Sequence, residues 1–90
     1  MSAVEAFLIE EITRALKPAS LEVINESHLH QGHAGDNGTG ESHFRIRIVS
    51  EAFNGQNRLA RHRKINEIAK PKLQEGLHAL AIEAKGTDET

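Results

Sequence analysis

The sequence predicts an α+β domain: a three-stranded mixed sheet covered on one face by two helices, in the order helix, strand, strand, helix, strand. Three observations carry this. Apolar residues recur at helical spacing over residues 2–16; residues 43–50 alternate apolar with charged; a second helical stretch from about residue 56 leads into another apolar segment at 77–84. The 90 residues suffice for one modest core, so residues 1–84 read as a single domain and 85–90 as a flexible tail.

The first helix begins with Ser2-Ala3-Val4-Glu5, the spacing of a capping box that satisfies free N–H groups of a first turn. Val4, Leu8, Ile12 and Ala15 then form its apolar stripe, flanked by Ile9 and Leu16. Lys17-Pro18 stops it, because a residue before proline avoids the helical region. Leu21 to Ile24 reads as a short strand. His43 to Ser50 is a better one, with Phe44, Ile46 and Ile48 alternating with Arg45 and Arg47. Between them, residues 27–42 hold four glycines, Asp36 and Asn37, an unusually long connection for a small domain.

Phe53-Asn54-Gly55 reads as a turn, with Phe53 and Gly55 in structural roles. The second helix follows, its apolar face running through Leu59, Ile65, Ala69 and Leu73, with His62 on the same face as packing or a hydrogen-bonded strut. Pro71 lacks an N–H, so this helix is expected to kink or end near Lys70. Leu77 to Ala84 forms the third strand, with Leu80 and Ile82 in phase. The first two strands pair antiparallel across the long loop. A right-handed crossover through the second helix returns the third strand parallel to the second.

Composition narrows the function. The chain has no cysteine and six histidines, so it has neither a disulfide nor a thiol nucleophile, and no cysteine-based metal site of its own. No apolar run approaches a membrane span, and no secretion signal is read at the N-terminus; a cytoplasmic protein is expected. Net charge is −2, which argues against indiscriminate coating of nucleic acid. No nucleophile–base pair, phosphate loop or paired-carboxylate spacing stands out, so no enzyme is expected.

The topology has a consequence for the histidines. His28 and His30 follow the first strand, His33 lies in the loop, His43 opens the second strand and His78 the third. All five converge on one sheet edge. Adjacent strands lie about 4.8 Å apart, so two imidazoles from neighbouring strand starts can share a metal. One difficulty is phase: His43 alternates with Phe44, whereas His78 is in phase with Leu80. In fully regular strands the two rings would face opposite ways.

Five pieces in order resemble the BolA family over residues 4–84. They are Asn25-Glu26-Ser27, the histidine-bearing glycine-rich loop, Ser42-His43-Phe44 running into Ile48-Val49-Ser50, Phe53-x-Gly55 with Arg61-His62-Arg63, and Leu77-His78-Ala79-Leu80. The resemblance implies a fold similar to the type II KH domain. It also implies a partner, a monothiol glutaredoxin, with which such proteins share a [2Fe–2S] cluster. The glutaredoxin and its bound glutathione supply the cysteine ligands. The histidine matching His78 supplies another, and a second comes from the loop region, His43 or His30 here. Rieske centres also place two histidines on one iron. Lys70-Pro71 departs from the family pattern, so the end of the second helix is expected to shift.

Two readings of function follow. The first is a non-enzymatic iron–sulfur adaptor or regulator, monomeric and without a cofactor when alone, heterodimeric with its glutaredoxin. The alternative is a DNA-binding transcriptional regulator whose basic stretch 58–72, through Arg58, Arg61, Arg63 and Lys64, contacts phosphates. Against the alternative, the G-x-x-G spacings at 32–35 and 35–38 lie in the inter-strand loop, not between helices as in KH domains.

Overall fold

The computed structural model describes residues 2–27 and 42–89. Helix α1 spans Ala3–Leu16, capped by Ser2, whose hydroxyl accepts the Glu5 N–H at 3.1 Å. Lys17 leaves the helix in the left-handed region (φ 43°) and its N–H closes the last turn on the Thr13 carbonyl. The buried stripe is Leu8, Ile12 and Leu16, with Val4 and Phe7 partly buried against the core. Ala15, expected on this stripe, is exposed. Residues four apart keep almost the same bearing on a helix, so Leu16 continues the line that Leu8 and Ile12 begin.

Strands β1 (Ser20–Asn25) and β2 (His43–Val49) pair antiparallel, with Val23 opposite Ile46. Strand β3 (Ala79–Lys85) lies parallel to β2, with Ile46 opposite Ile82. The sheet order β1-β2-β3 and the crossover through the second helix are as the sequence predicts. Phe44, Ile46 and Ile48 are buried on the helix-covered face, among Leu8, Ile12, Phe53, Ile65 and Ala69. The opposite face carries Glu22, Arg45, Arg47 and Glu83. There Arg45 pairs with Glu26 at 2.9 Å and Glu83 at 2.8 Å, and Arg47 reaches Glu83 at 3.4 Å.

After β2, the Ser50 hydroxyl accepts the Ala52 N–H and donates to the Leu16 carbonyl at 2.8 Å. A short 3-10 turn, Glu51–Phe53, then buries Phe53 completely. Gly55 follows with φ 76°, a conformation that side chains other than glycine rarely adopt.

Helix α2 spans Arg58–Glu75, capped by Asn57, whose side-chain oxygen accepts the Ala60 N–H at 2.8 Å. It does not end at Lys70 but runs through Pro71 for another turn. Pro71 has no N–H to offer the Glu67 carbonyl, and both residues are exposed, so solvation of that carbonyl offsets the lost bond. The apolar face also differs from expectation. Leu59 is 57% exposed, whereas Ile68, absent from the expected stripe, is packed against the core. Six residues at 100° each set Leu59 about 120° from Ile65, off the buried side, while Ile68 falls within about 60°.

Beyond residue 84, Lys85 completes β3, and Thr87–Glu89 form one 3-10 turn. Asn54 Nδ2 donates to the Thr87 hydroxyl, and Arg61 pairs with Glu89. Among the described residues no helix is long and apolar enough to cross a membrane.

Candidate histidine site

Helix α2 ends at Gly76 (φ 127°), and the N–H groups of Gly76 and Leu77 both turn back to the Lys72 carbonyl. Leu77 then buries its side chain in the core, so the chain enters the sheet from a fixed point. The N–H groups of His78 and Ala79 both bond the Ser42 carbonyl, at 2.8 and 3.1 Å. This pins His78 beside the residue that precedes β2.

Ladder pairing of the parallel strands begins with His43 opposite Ala79, which leaves His78 one residue outside the regular strand. Free of the pleat, its ring is not forced onto the core side with Leu80. The His43 and His78 ring centres lie 5.2 Å apart at an interplanar angle of 52°. The two histidines whose phases conflict in the sequence therefore meet in the structure.

The His43 side is built by serines. Ser27 Oγ accepts the N–H of Ser42 at 2.9 Å and of His43 at 3.1 Å, and donates to the His43 carbonyl at 3.3 Å. Asn25 holds Ser27 in turn, its side-chain oxygen accepting the Ser27 N–H at 2.9 Å. Ser42 Oγ lies 2.8 Å from His43 Nδ1, within hydrogen-bond distance. Ser27, Ser42 and His43 are all buried, His43 being 8% exposed, while His78 is exposed. Neither serine is a site residue in the sequence reading. Ser42 adjoins His43, but nothing in the sequence ties Ser27 to it across the long loop.

Two imidazoles on one tetrahedral ion, each with a nitrogen about 2.0–2.1 Å from it, hold their ring centres about 5 Å apart. The observed separation fits that geometry. In the tautomer whose Nδ1–H donates to Ser42, the His43 Nε2 carries the lone pair, the form in which an imidazole coordinates a metal. Among the described residues no group of three or more His, Asp or Glu side chains is arranged to hold a metal ion. Within the described residues the pair thus brings together two imidazoles and no further metal-ligating side chain. His30, the other expected ligand, and His28 and His33 lie outside the described residues.

On the open sheet face Arg45 bridges Glu26 and Glu83. Hydrogen bonds to Glu26 and then Glu83 raise the Arg45 pKa further. Bonds from Arg45 and Arg47 hold the Glu83 carboxyl below the usual carboxylate range.

The basic stretch of α2 is divided. Arg58 and Arg63 are exposed and Lys64 is half-buried. Arg61 turns inward, its Nη1 donating to the Ala84 carbonyl at 3.0 Å. His62 is half-buried beside it, at the flank of α2 and not in the centre of the core.

A model of BolA-like proteins matches residues 12–89. A protein from the cobS 5′ region of a Sinorhizobium species is 60% identical over 75 residues, covering 82% of this chain and 81% of that one. SufE-like protein 1 of Arabidopsis thaliana, chloroplastic or mitochondrial, is 45% identical over 80 residues, covering 84% of this chain. The match spans only 22% of that longer protein. The solved BolA domain of Arabidopsis SufE1 superimposes with a TM-score of 0.90 at 39% identity, covering 100% of this chain and 99% of that one. A Vibrio cholerae protein described as DNA-binding transcriptional regulator BolA is 39% identical over 80 residues, covering 89% of this chain and 72% of that one.

Proposed function

The chain belongs to the BolA family, and from that membership we propose that it is a non-enzymatic iron–sulfur adaptor that pairs with a monothiol glutaredoxin and shares a [2Fe–2S] cluster with it. The observation that carries this reading is the His43–His78 pair, 5.2 Å between ring centres, in a chain without cysteine. Two imidazoles alone hold a cluster poorly, so the thiolates come from the glutaredoxin and its glutathione. Histidine ligation raises a cluster's reduction potential relative to all-thiolate ligation, which suits a regulatory or transfer role. His78, exposed and outside the strand, is the ligand that meets the partner. His43, fixed by Ser27 and Ser42, is the preorganised one.

The test is anaerobic reconstitution with a monothiol glutaredoxin, glutathione, iron and sulfide. A heterodimer forms with a visible charge-transfer spectrum distinct from that of the glutaredoxin alone, and His78→Ala abolishes the difference. An unchanged spectrum and complex in His78→Ala would falsify the proposal.

A second reading, DNA binding, is favoured by the description of the Vibrio relative. Here Arg58, Arg63 and Lys64 carry the phosphate contacts, because Arg61 is committed to Ala84 and Glu89. Titration of a duplex at several salt concentrations separates a specific site from phosphate attraction, which falls steeply with salt.

A further inference from the structure

At the other end of β3 from the histidines, a cavity of about 560 Å³ opens between the start of α2 and the last residues of the sheet. Arg58, Arg61, His62, Glu83, Lys85 and Glu89 line it. Glu83 is already bonded by Arg45 and Arg47, which leaves three permanent cations lining the cavity with one other carboxylate, that of Glu89.

Glu89 engages Arg61 incompletely. The guanidinium has a two-toothed edge, the parallel N–H groups of Nε and Nη2, shaped for both oxygens of a carboxylate or phosphate. Glu89 brings a single oxygen, Oε1, 2.5 Å from Nη2, and that oxygen also accepts the Gly86 N–H at 2.8 Å. Nε is buried and has no hydrogen-bond partner among the described residues. The Arg61 side chain is only 12% exposed, so water does little to relieve that open donor. Gln56 Oε1, buried and equally without a partner, borders the same cavity.

We propose that this cavity is a binding site for a small molecule bearing an oxyanion, a phosphate or a carboxylate, and that Glu89 occupies its anchoring edge as a tethered, one-toothed surrogate. An incoming oxyanion displaces Glu89 and takes both Nε and Nη2. Arg58 and Lys85 add charge, and Gln56 accepts a bond from a hydroxyl of the ligand. Nη1 stays on the Ala84 carbonyl, so the guanidinium is already oriented for the exchange. The site is independent of the histidine pair and of whatever occupies it. The cavity is of the size that small ligands fill.

The experiment follows the Arg61 Nε–H resonance by nitrogen-edited NMR of the full chain, titrated separately with inorganic pyrophosphate and with citrate at constant ionic strength. A saturable shift is expected, and the tighter of the two probes identifies the oxyanion class. Glu89→Gln binds that probe about tenfold more tightly, as expected if the tethered carboxylate holds the edge about nine-tenths of the time. Arg58→Ala, at an exposed position, weakens binding several-fold without altering the melting temperature. Arg61→Lys keeps the charge but loses the fork; followed through the Gly86 backbone amide, because the Arg61 resonance is gone, it shows no saturable binding. The proposal is overturned if neither probe moves the resonance in wild type or Glu89→Gln. It is equally overturned if Glu89→Gln and wild type bind alike, or if Arg58→Ala leaves affinity unchanged, because the attraction is then diffuse.

Discussion

The Ser27 hydroxyl closes on both main-chain polar groups of His43, accepting its N–H at 3.1 Å and donating to its carbonyl at 3.3 Å. The same oxygen accepts the Ser42 N–H at 2.9 Å. One side chain thus positions the start of β2 at the place where the candidate ligand stands. Ser27→Ala leaves two buried N–H groups without their acceptor, a loss of about 1–3 kcal/mol. In a domain of this size each kcal/mol lowers Tm by roughly 4–8 °C. The variant should therefore melt clearly below wild type and form less of the proposed shared cluster, whereas Ser27→Thr, which keeps the hydroxyl, retains more of both. A Ser27→Ala protein that melts with wild type would remove the serine from any organising role.

Pro71 makes a prediction of the opposite sign. Within α2 it leaves the Glu67 carbonyl without a helical donor, on a face open to water. Proline in a helix interior is about 3 kcal/mol less favourable than alanine, partly offset by about 0.4–1 kcal/mol through the stiffer unfolded chain. Solvation of the exposed carbonyl reduces the difference further. Pro71→Ala should raise stability by roughly 1–2 kcal/mol, read as a higher denaturation midpoint at constant slope. The reconstituted cluster spectrum should not change, because Gly76 and Leu77, not Pro71, set the entry of His78.

These residues also mark how far the sequence could be read. The element order and the gathering of histidines at one edge follow from strand direction alone, and the structure has that topology. The meeting of His43 with His78 does not follow. Alternation applies only within paired strand, and the ladder starts at Ala79, one residue after His78. That the second helix does not end near Lys70 has a related reason. The rule concerns a lost bond, and whether the loss ends a helix depends on what solvates the orphaned carbonyl. Leu59 misled by composition, since an apolar residue in the first turn was counted on the face although its bearing lies far from Ile65. Ser27 was invisible because its partners lie across the long loop.

The ion lattice on the open face predicts an acid-sensitive contribution. The Glu83 carboxyl is held below its ordinary range by bonds from Arg45 and then Arg47, and the Glu89 carboxyl by Arg61 and then the Gly86 N–H. A group with a lowered folded pKa adds stability that is fully present above its unfolded value, about 4.3 for glutamate, and is lost as pH falls through the folded one. Stability should therefore decline as pH drops below about 5. Glu83→Gln should flatten that decline while lowering stability slightly at neutral pH, since Glu83 and Arg47 are exposed, Arg45 is partly so, and the pairs are screened. Denaturant midpoints at neutral and acidic pH, at low and high salt, measure it. An identical pH profile for the variant would show that the lattice contributes nothing.

The identity of the second ligand in the proposed cluster can be decided between His43 and His30. His43 has a neighbour 5.2 Å away in His78, a backbone fixed by Ser27, and a ring held at Nδ1 by Ser42. A ligand already in place loses less conformational freedom on binding than one that must be brought in. His43→Ala should accordingly shift the charge-transfer bands and weaken the glutaredoxin complex about tenfold or more, while His30→Ala leaves both within error. Because His43 is buried, its removal also leaves a cavity, so the melting temperature of each variant must accompany the spectra. His43→Asn, which keeps a polar group near Ser42 but no imidazole, separates the two effects: it should restore part of the lost stability and none of the spectrum. If His30→Ala abolishes the spectrum and His43→Ala does not, the second ligand comes from the inter-strand loop, and the His43–His78 contact is structural.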